Sequence, residues 1–123
     1  INEFIKWCKK QDFYEDTVII ITGDHPRMDS EMVDGVDNFE RTIYNCFINC
    51  EIDEKVQTKN RCFTVLDMFP TTLQALGFSW DSDRLGLGTG MFSGNPTLTE
   101  QLGFDYVHAE LSKRSEYCLK FYK

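Results

Sequence analysis

The sequence contains neither a long apolar run nor a pair of cysteines at metal-binding spacing. Its longest aliphatic stretch covers only residues 18–21, whereas a membrane-spanning helix needs roughly 20 apolar residues. The five cysteines form no Cys-x-x-Cys pair and are odd in number, which argues against a zinc ribbon or a disulfide framework and favours buried free thiols. A spanning helix, a zinc ribbon and a disulfide-stapled scaffold are therefore not expected here.

Basic residues are also scarce and scattered. Thirteen lysines and arginines stand against 20 carboxylates, which gives a formal charge of -7. Such a chain repels nucleic acid and anionic membrane surfaces unless its basic residues cluster, and they do not. Twelve of the carboxylates fall between Asp12 and Glu54, where Arg27 and Arg41 are the only basic residues. This acidic region is either a solvated face or a place that favours cations.

The length and the start of the chain set further expectations. A chain of 123 residues with 41% hydrophobic content can bury one modest core, so a single compact unit is expected. The sequence opens at Ile1, without an initiator methionine and without the basic and apolar regions of a signal peptide. We therefore expect the chain to be a piece of a longer protein.

Hydrophobic periodicity predicts alternating helices and strands, which is typical of an α/β protein. The segment 17–22 is β-branched and apolar on both faces, the pattern of an interior strand that is covered from both sides. Helix 67–76 is predicted to begin with Asp67 as its N-cap and Pro70 in its first turn, to carry a stripe of Phe69, Leu73 and Leu76, and to end at Gly77. The other predicted elements are helices at 2–13, 97–102 and 106–121, and strands at 42–49 and 63–66.

The first strand ends in Gly23, Asp24, His25 and Pro26. Glycine frees the backbone and proline ends the strand ladder, so both side chains between them can turn toward one ion. An oxygen ligand beside an imidazole ligand suits Zn²⁺ or Mn²⁺. The carboxyl end of a strand is also where open α/β sheets bind their ligands. The alternative is a turn aspartate beside a surface histidine.

Four segments, in order, resemble the sulfatase-like branch of the alkaline phosphatase superfamily. They are Asp16-Thr-Val-Ile-Ile-Ile-Thr-Gly-Asp-His25, the strand Arg41-Thr-Ile-Tyr-Asn-Cys-Phe-Ile-Asn49, the helix in Phe63-Thr-Val-Leu-Asp-Met-Phe-Pro-Thr-Thr-Leu-Gln-Ala-Leu-Gly77, and the glycine-rich Arg84-Leu-Gly-Leu-Gly-Thr-Gly-Met-Phe-Ser93. Their order and spacing agree across roughly residues 1 to 94. The Met-Asp-Ser that follows His-Pro-Arg is similar to the lipoteichoic-acid synthase and phosphoglycerol transferase members.

This resemblance implies that residues 1–123 are the C-terminal portion of an alkaline-phosphatase-like catalytic domain, with a few-stranded sheet, flanking helices and a C-terminal helix. It implies that Asp24 and His25 are two ligands of a catalytic Mn²⁺ or Zn²⁺. The remaining ligands and the threonine nucleophile are expected upstream, so the chain contains no catalytic nucleophile and is expected to be inactive alone. Arg27 is a candidate contact to the substrate phosphate.

For the parent protein, the resemblance implies an extracytoplasmic, membrane-attached bacterial enzyme of cell-envelope polymer synthesis. A phosphatidylglycerol-like lipid is the implied donor, and a glycerol phosphate or glycan chain is the implied acceptor. No nucleic-acid partner is expected, and membrane contact is expected only through upstream helices.

Two other classes remain open. One is a sulfatase or phosphodiesterase of the same superfamily, in which water replaces the acceptor. The other is a non-enzymatic interaction module in which Asp24 and His25 are neighbours by coincidence. The glycine-rich run at 85–90 is interpreted as a structural turn, because it does not connect a strand to a helix. His108 lies on the last helix and is expected to face solvent or the core.

Overall fold

The computed structural model describes residues 1–26 and 42–120, apart from the side chains of Tyr117 and Cys118. The chain divides into two compact units, Ile1–Glu51 and Ile52–Lys123. The length had predicted a single unit. The architecture is mixed α and β with a small antiparallel sheet, so the α/β character read from the sequence is confirmed.

The first unit contains one helix and both strands in its described residues, 1–26 and 42–51. Helix α1 spans Asn2–Cys8, a 3-10 turn follows at Tyr14–Asp16, and strands β1 and β2 span Ile19–Thr22 and Asn45–Ile48. Helix α1 stops short of the predicted residue 13. The amide side chain of Gln11 donates to the carbonyl of Trp7 at 3.0 Å, and that carbonyl is the one a continuing helix would offer to the backbone N–H of residue 11.

Strands β1 and β2 pair antiparallel, with Ile19 opposite Ile48 and Thr22 opposite Asn45. Both strands therefore lie within the predicted segments 17–22 and 42–49. The prediction that β1 is an interior strand is wrong for the described residues, where it has one partner strand. Residues 19–21 are only half-buried and Thr22 is exposed, since a two-stranded sheet leaves each strand an unpaired edge.

Asn49 connects the end of β2 to the turn that precedes β1. Its backbone is left-handed, with φ of 61°, a conformation that asparagine tolerates better than most residues. Its side-chain amide donates to the carbonyls of Tyr14 at 2.6 Å and Thr17 at 2.9 Å. These contacts fix where the chain enters β1.

The second unit is helical among its described residues. Its helices are α2 (Val65–Ala75), α3 (Leu98–Leu102), α4 (Phe104–Leu111) and α5 (Glu116–Leu119), and a 3-10 turn spans Met91–Ser93. The predicted helices at 67–76 and 97–102 are thus confirmed in position. The last helix of the described residues is α5, and the predicted end of the chain at residues 121–123 lies outside them.

The predicted strand at 63–66 is wrong, because α2 begins inside it. Thr64 is the N-cap, and its hydroxyl accepts from the N–H of Leu66 at 3.3 Å. Asp67 is therefore not the N-cap but the third helical residue, whose carboxylate accepts from the N–H of Thr64 at 2.8 Å. This reciprocal capping box places the helix start two residues earlier than predicted. It also moves Pro70 from the first turn into the helix interior.

The predicted helix 106–121 is split into α4 and α5. The hydroxyl of Ser112 donates to the carbonyl of His108 at 2.8 Å, the kind of local bond by which serine competes with a continuing helix. Bends and turns follow up to residue 115. No helix among the described residues has the length and apolar character needed to cross a bilayer.

Few apolar side chains are buried in the described residues: Cys8, Ala75, Met91 and Val107. Several threonines are buried more completely, with Thr71, Thr89 and Thr97 at 0% exposure. Buried hydroxyls are costly unless they are hydrogen-bonded. The hydroxyls of Thr71 and Thr97 donate to the carbonyls of Asp67 and Cys62, both at 2.6 Å, whereas that of Thr89 has no partner among the described residues. Polar contacts between side chain and backbone therefore contribute much of the specificity in the second unit.

Candidate metal site

The end of β1 is held by its partner strand. The N–H of Gly23 donates to the carbonyl of Tyr44 at 3.0 Å, which extends the ladder one residue past Thr22. The hydroxyl of Thr22 donates to Oδ1 of Asn45 at 2.5 Å. Since Asp24 and His25 follow directly, their backbone starts from a fixed position.

Asp24 and His25 turn toward each other at this strand end. Oδ1 of Asp24 accepts the backbone N–H of His25 at 2.9 Å. Nδ1 of His25 lies 2.8 Å from the carbonyl oxygen of Pro26, so a proton on Nδ1 is held by the backbone and the lone pair lies on Nε2. Oδ2 of Asp24 lies 3.5 Å from that Nε2. Oδ2 of Asp24 and Nε2 of His25, which take no part in these two local hydrogen bonds, are therefore the atoms that approach each other.

This geometry fits two ligands of one ion. Ligand atoms about 2.0 Å from a tetrahedral Zn²⁺ stand about 3.3 Å apart, close to the observed 3.5 Å. Both side chains are accessible, with 89% of Asp24 and 57% of His25 exposed. The sequence prediction that both residues can face one ion is therefore compatible with the structure.

A third ligand does not join them in the described part of the chain. Residues 1–26 and 42–120 contain no group of three or more histidine, cysteine, aspartate or glutamate side chains that could hold a metal. Cys8, Cys46, Cys50 and Cys62 are free thiols, as the sequence predicted, but of these four only Cys8 is buried. Partial burial raises the pKa of the Cys50 thiol, which opposes the thiolate form that binds metals.

The remaining candidates from the sequence are placed as follows. Arg27 lies outside the described residues. His108 belongs to α4 in the second unit, is exposed, and stacks on Phe104 with ring centroids 5.8 Å apart. Of the two expected roles, facing solvent or facing the core, the structure shows the first.

Asp67 has a structural role. It is 2% exposed, and its two oxygens accept from the N–H of Thr64 and from the N–H of Thr89, both at 2.8 Å. Further along α2, the hydroxyl of Thr71 accepts from the N–H of Met91 at 3.0 Å, and Oε1 of Gln74 accepts from the N–H of Phe92 at 3.0 Å. One face of α2 therefore satisfies the backbone of the segment 89–92.

The same contact explains the glycine-rich run. Pro70 cannot donate to the carbonyl of Leu66 within the helix, and the backbone of Gly88 packs beside that oxygen. A Cβ on Gly88 would lie 2.0 Å from it, and a Cβ on Gly90 would lie 2.1 Å from Oε1 of Gln74. Position 88 needs glycine so that the backbone can approach α2, whereas a side chain at position 90 would displace the side chain of Gln74. The interpretation of the run as a structural turn is confirmed, and the bridge between Leu85 and Gly88 closes it.

Sequence reasoning missed the ion pair of Arg61 with Glu100. The guanidinium donates to both carboxylate oxygens, from Nε at 2.8 Å and from Nη2 at 2.6 Å. The hydrogen bonds from Arg61 are the main reason that the pKa of Glu100 falls to about 2. The partners are 39 positions apart in the sequence, so no local sequence pattern predicts the pair. The only signal was the capping box Thr97-x-x-Glu100, which predicts the start of α3 but not its arginine.

Comparisons with known proteins add no relative: no family model, no curated protein and no solved structure matches this chain.

Proposed function

We propose that Asp24 and His25 are two ligands of the catalytic divalent metal, Mn²⁺ or Zn²⁺, in a phosphoglycerol transferase with an alkaline-phosphatase-like catalytic domain. The proposal rests chiefly on the 3.5 Å approach of Oδ2 of Asp24 to Nε2 of His25 at the end of a strand. The ordered series of motifs that resembles the lipoteichoic-acid synthase branch supports it.

In this proposal, the residues of this chain hold the metal ion in position, and they do not attack the substrate. Asp24 contributes a carboxylate oxygen and His25 an imidazole nitrogen, and the bond from His25 to the Pro26 carbonyl fixes the ring. A dication at this position supplies activation of a hydroxyl nucleophile and neutralisation of the phosphoryl oxygens. The threonine nucleophile and the other ligands come, in this proposal, from outside the described residues.

The proposed substrates follow from the same resemblance. The donor is a phosphatidylglycerol-like lipid and the acceptor is a glycerol phosphate or glycan chain of the cell envelope. The parent enzyme then works outside the cytoplasm, attached to the membrane by helices other than those described above. Transfer is preferred to hydrolysis because of Met28, Asp29 and Ser30, whose sequence is similar to the transferase members.

The metal pair is testable on this chain by paramagnetic broadening. Mn²⁺ broadens NMR signals of nearby nuclei even when it binds weakly, which suits a site with two ligands. The chain has two histidines, His25 and His108, so the second is an internal control. On titration with MnCl₂, the ring signals of His25 are expected to broaden at metal concentrations that leave those of His108 sharp.

Two variants make this experiment decisive. Asp24→Asn keeps the oxygen that accepts from the N–H of His25 but removes the charge, so the selective broadening should weaken several-fold. Asp16→Asn alters another exposed carboxylate of the same unit and should leave it unchanged. Equal broadening of both histidines, or a His25 response that survives Asp24→Asn, would show that the two residues are a coincidental turn motif.

A further inference from the structure

An open cavity of about 300 Å³ lies in the second unit, and none of the proposed metal ligands lines it. Two segments line it together with Gln74 of α2: the loop 78–83 that follows the helix, and Ser93 with Asn95. The volume is at the lower end of the range for small-molecule sites, so it has room for one small ring rather than an extended ligand.

The polar lining is held in place by hydrogen bonds before any ligand arrives. The hydroxyl of Ser93 donates to the carbonyl of Gly90 at 2.7 Å and accepts from the N–H of Asn95 at 3.1 Å. The side-chain amide of Asn95 donates to Oδ1 of Asp83 at 3.0 Å. Oδ1 of Asn95 and Oδ2 of Asp83 take no part in these bonds. A preformed lining reduces the ordering cost of binding.

The charge of the lining excludes one class of ligand. Asp81 and Asp83 are among the lining residues and no lysine or arginine is. A phosphate, sulfate or carboxylate would therefore meet two negative charges with no cation to offset them. The ligand of this cavity must be neutral or positively charged.

The hydrogen-bonding groups of the lining distinguish a neutral ligand from a positively charged one. The lining offers acceptors in Asp81 and Asp83, and it also offers donors in the hydroxyls of Ser79 and Ser82 and the amide nitrogen of Gln74. An ammonium group only donates and would leave those donors unused, whereas a hydroxyl both donates and accepts. The half-buried indole of Trp80 adds a flat apolar surface beside these groups.

We infer that this cavity binds a single carbohydrate ring, with Trp80 against the apolar face of the sugar and Asp83 and Asn95 on its hydroxyls. The inference concerns the second unit alone and does not depend on the proposed metal pair. Either can fail without the other.

Fluorescence of Trp80 tests the inference directly. The chain has two tryptophans, so Trp7→Phe leaves Trp80 as the only indole reporter. Methyl β-D-glucopyranoside should produce a saturable change in its emission, with a dissociation constant on the order of millimolar. Methylammonium chloride and sodium phosphate at matched ionic strength should produce no saturable change.

Variants in the same Trp7→Phe background assign the binding to the cavity. Asp83→Ala and Asn95→Ala should each weaken glucoside binding at least about fivefold, because each removes a preformed hydrogen-bonding group. Glu54→Gln alters an exposed carboxylate that does not line the cavity and should bind normally. Helical circular dichroism confirms that each variant is folded. Saturation by methylammonium instead of the glucoside, or no saturation by the glucoside up to about 100 mM, overturns the inference.

Discussion

At the residue scale, the guanidinium of Arg61 donates to groups that lie 30 to 39 residues away in the sequence. Its side chain is 8% exposed, and besides Glu100 it donates to the carbonyls of Met91 at 3.3 Å and Asn95 at 2.7 Å. Glu100 in turn accepts from the N–H of Cys62 at 3.1 Å and of Thr97 at 2.9 Å. The pair therefore joins three separate stretches of chain.

Replacing Arg61 should destabilise the second unit strongly. Arg61→Met keeps much of the side-chain volume but leaves the Glu100 carboxylate without its cation, at a cost of about 2 to 4 kcal/mol in the free energy of unfolding. Urea unfolding followed by circular dichroism measures it. Lys113→Met is the matched control, since the pair of Lys113 with Glu110 is exposed and its loss should not be measurable.

The pH dependence of the same variant gives a second arm to this test. The pKa of Glu100 in the folded chain is lowered to about 2, below its unfolded value, so its contribution is fully present above about pH 4.5 and is lost as the pH falls toward 2. The stability difference between wild type and Arg61→Met should therefore narrow over that window. A constant difference down to pH 2 would contradict the assigned role of the pair.

At the element scale, the buried face of α2 is not the face that carries its apolar stripe. The apolar stripe of Phe69, Leu73 and Leu76 suggested a core-facing surface, yet Phe69 is 62% and Leu76 is 53% exposed. The buried face instead contains Asp67 and Thr71. These side chains accept backbone N–H groups of the glycine-rich segment, and a buried N–H without an acceptor would cost more than an exposed apolar side chain.

Two adjacent substitutions distinguish the faces of α2. Ala75 is 6% exposed, so Ala75→Gln forces a larger polar group into a filled space and should cost about 2 to 4 kcal/mol. Leu76→Gln changes an exposed position and should stay within about 0.5 kcal/mol of wild type. Urea unfolding compares them. If Leu76→Gln proved the more damaging, the apolar stripe would be the buried face after all.

At the scale of the whole molecule, the described residues bring together the two proposed metal ligands, and they contain no group of three or more candidate ligand side chains. Two ligands hold a dication weakly, so we expect the isolated chain with Mn²⁺ to hydrolyse bis-p-nitrophenyl phosphate no faster than the metal alone. The rate of nitrophenol release measures this. Reproducible turnover that Asp24→Ala abolishes would contradict the proposal that the pair needs residues beyond those described.

The sequence by itself determined the features that local chemistry decides. The β-branched segment 17–22 contains β1, Gly77 with its φ of 84° ends α2, and the side chains of Thr97 and Glu100 cap α3. Each depends on residues within a few positions of one another. The start of α2 is also decided locally, by the capping box that Thr64 and Asp67 form, although the sequence prediction placed the N-cap at Asp67.

Only the tertiary structure decided which distant groups meet. The face of α2 that is buried depends on the N–H groups of a segment about 20 residues further along the chain, at spacings of 22 for Asp67 with Thr89 and 20 for Thr71 with Met91. The pairing of Arg61 with Glu100, 39 residues apart, likewise depends on where the backbone places the two side chains. Hydrophobic periodicity describes what a helix or strand can bury, whereas the hydrogen-bonding needs of its neighbours determine what it does bury.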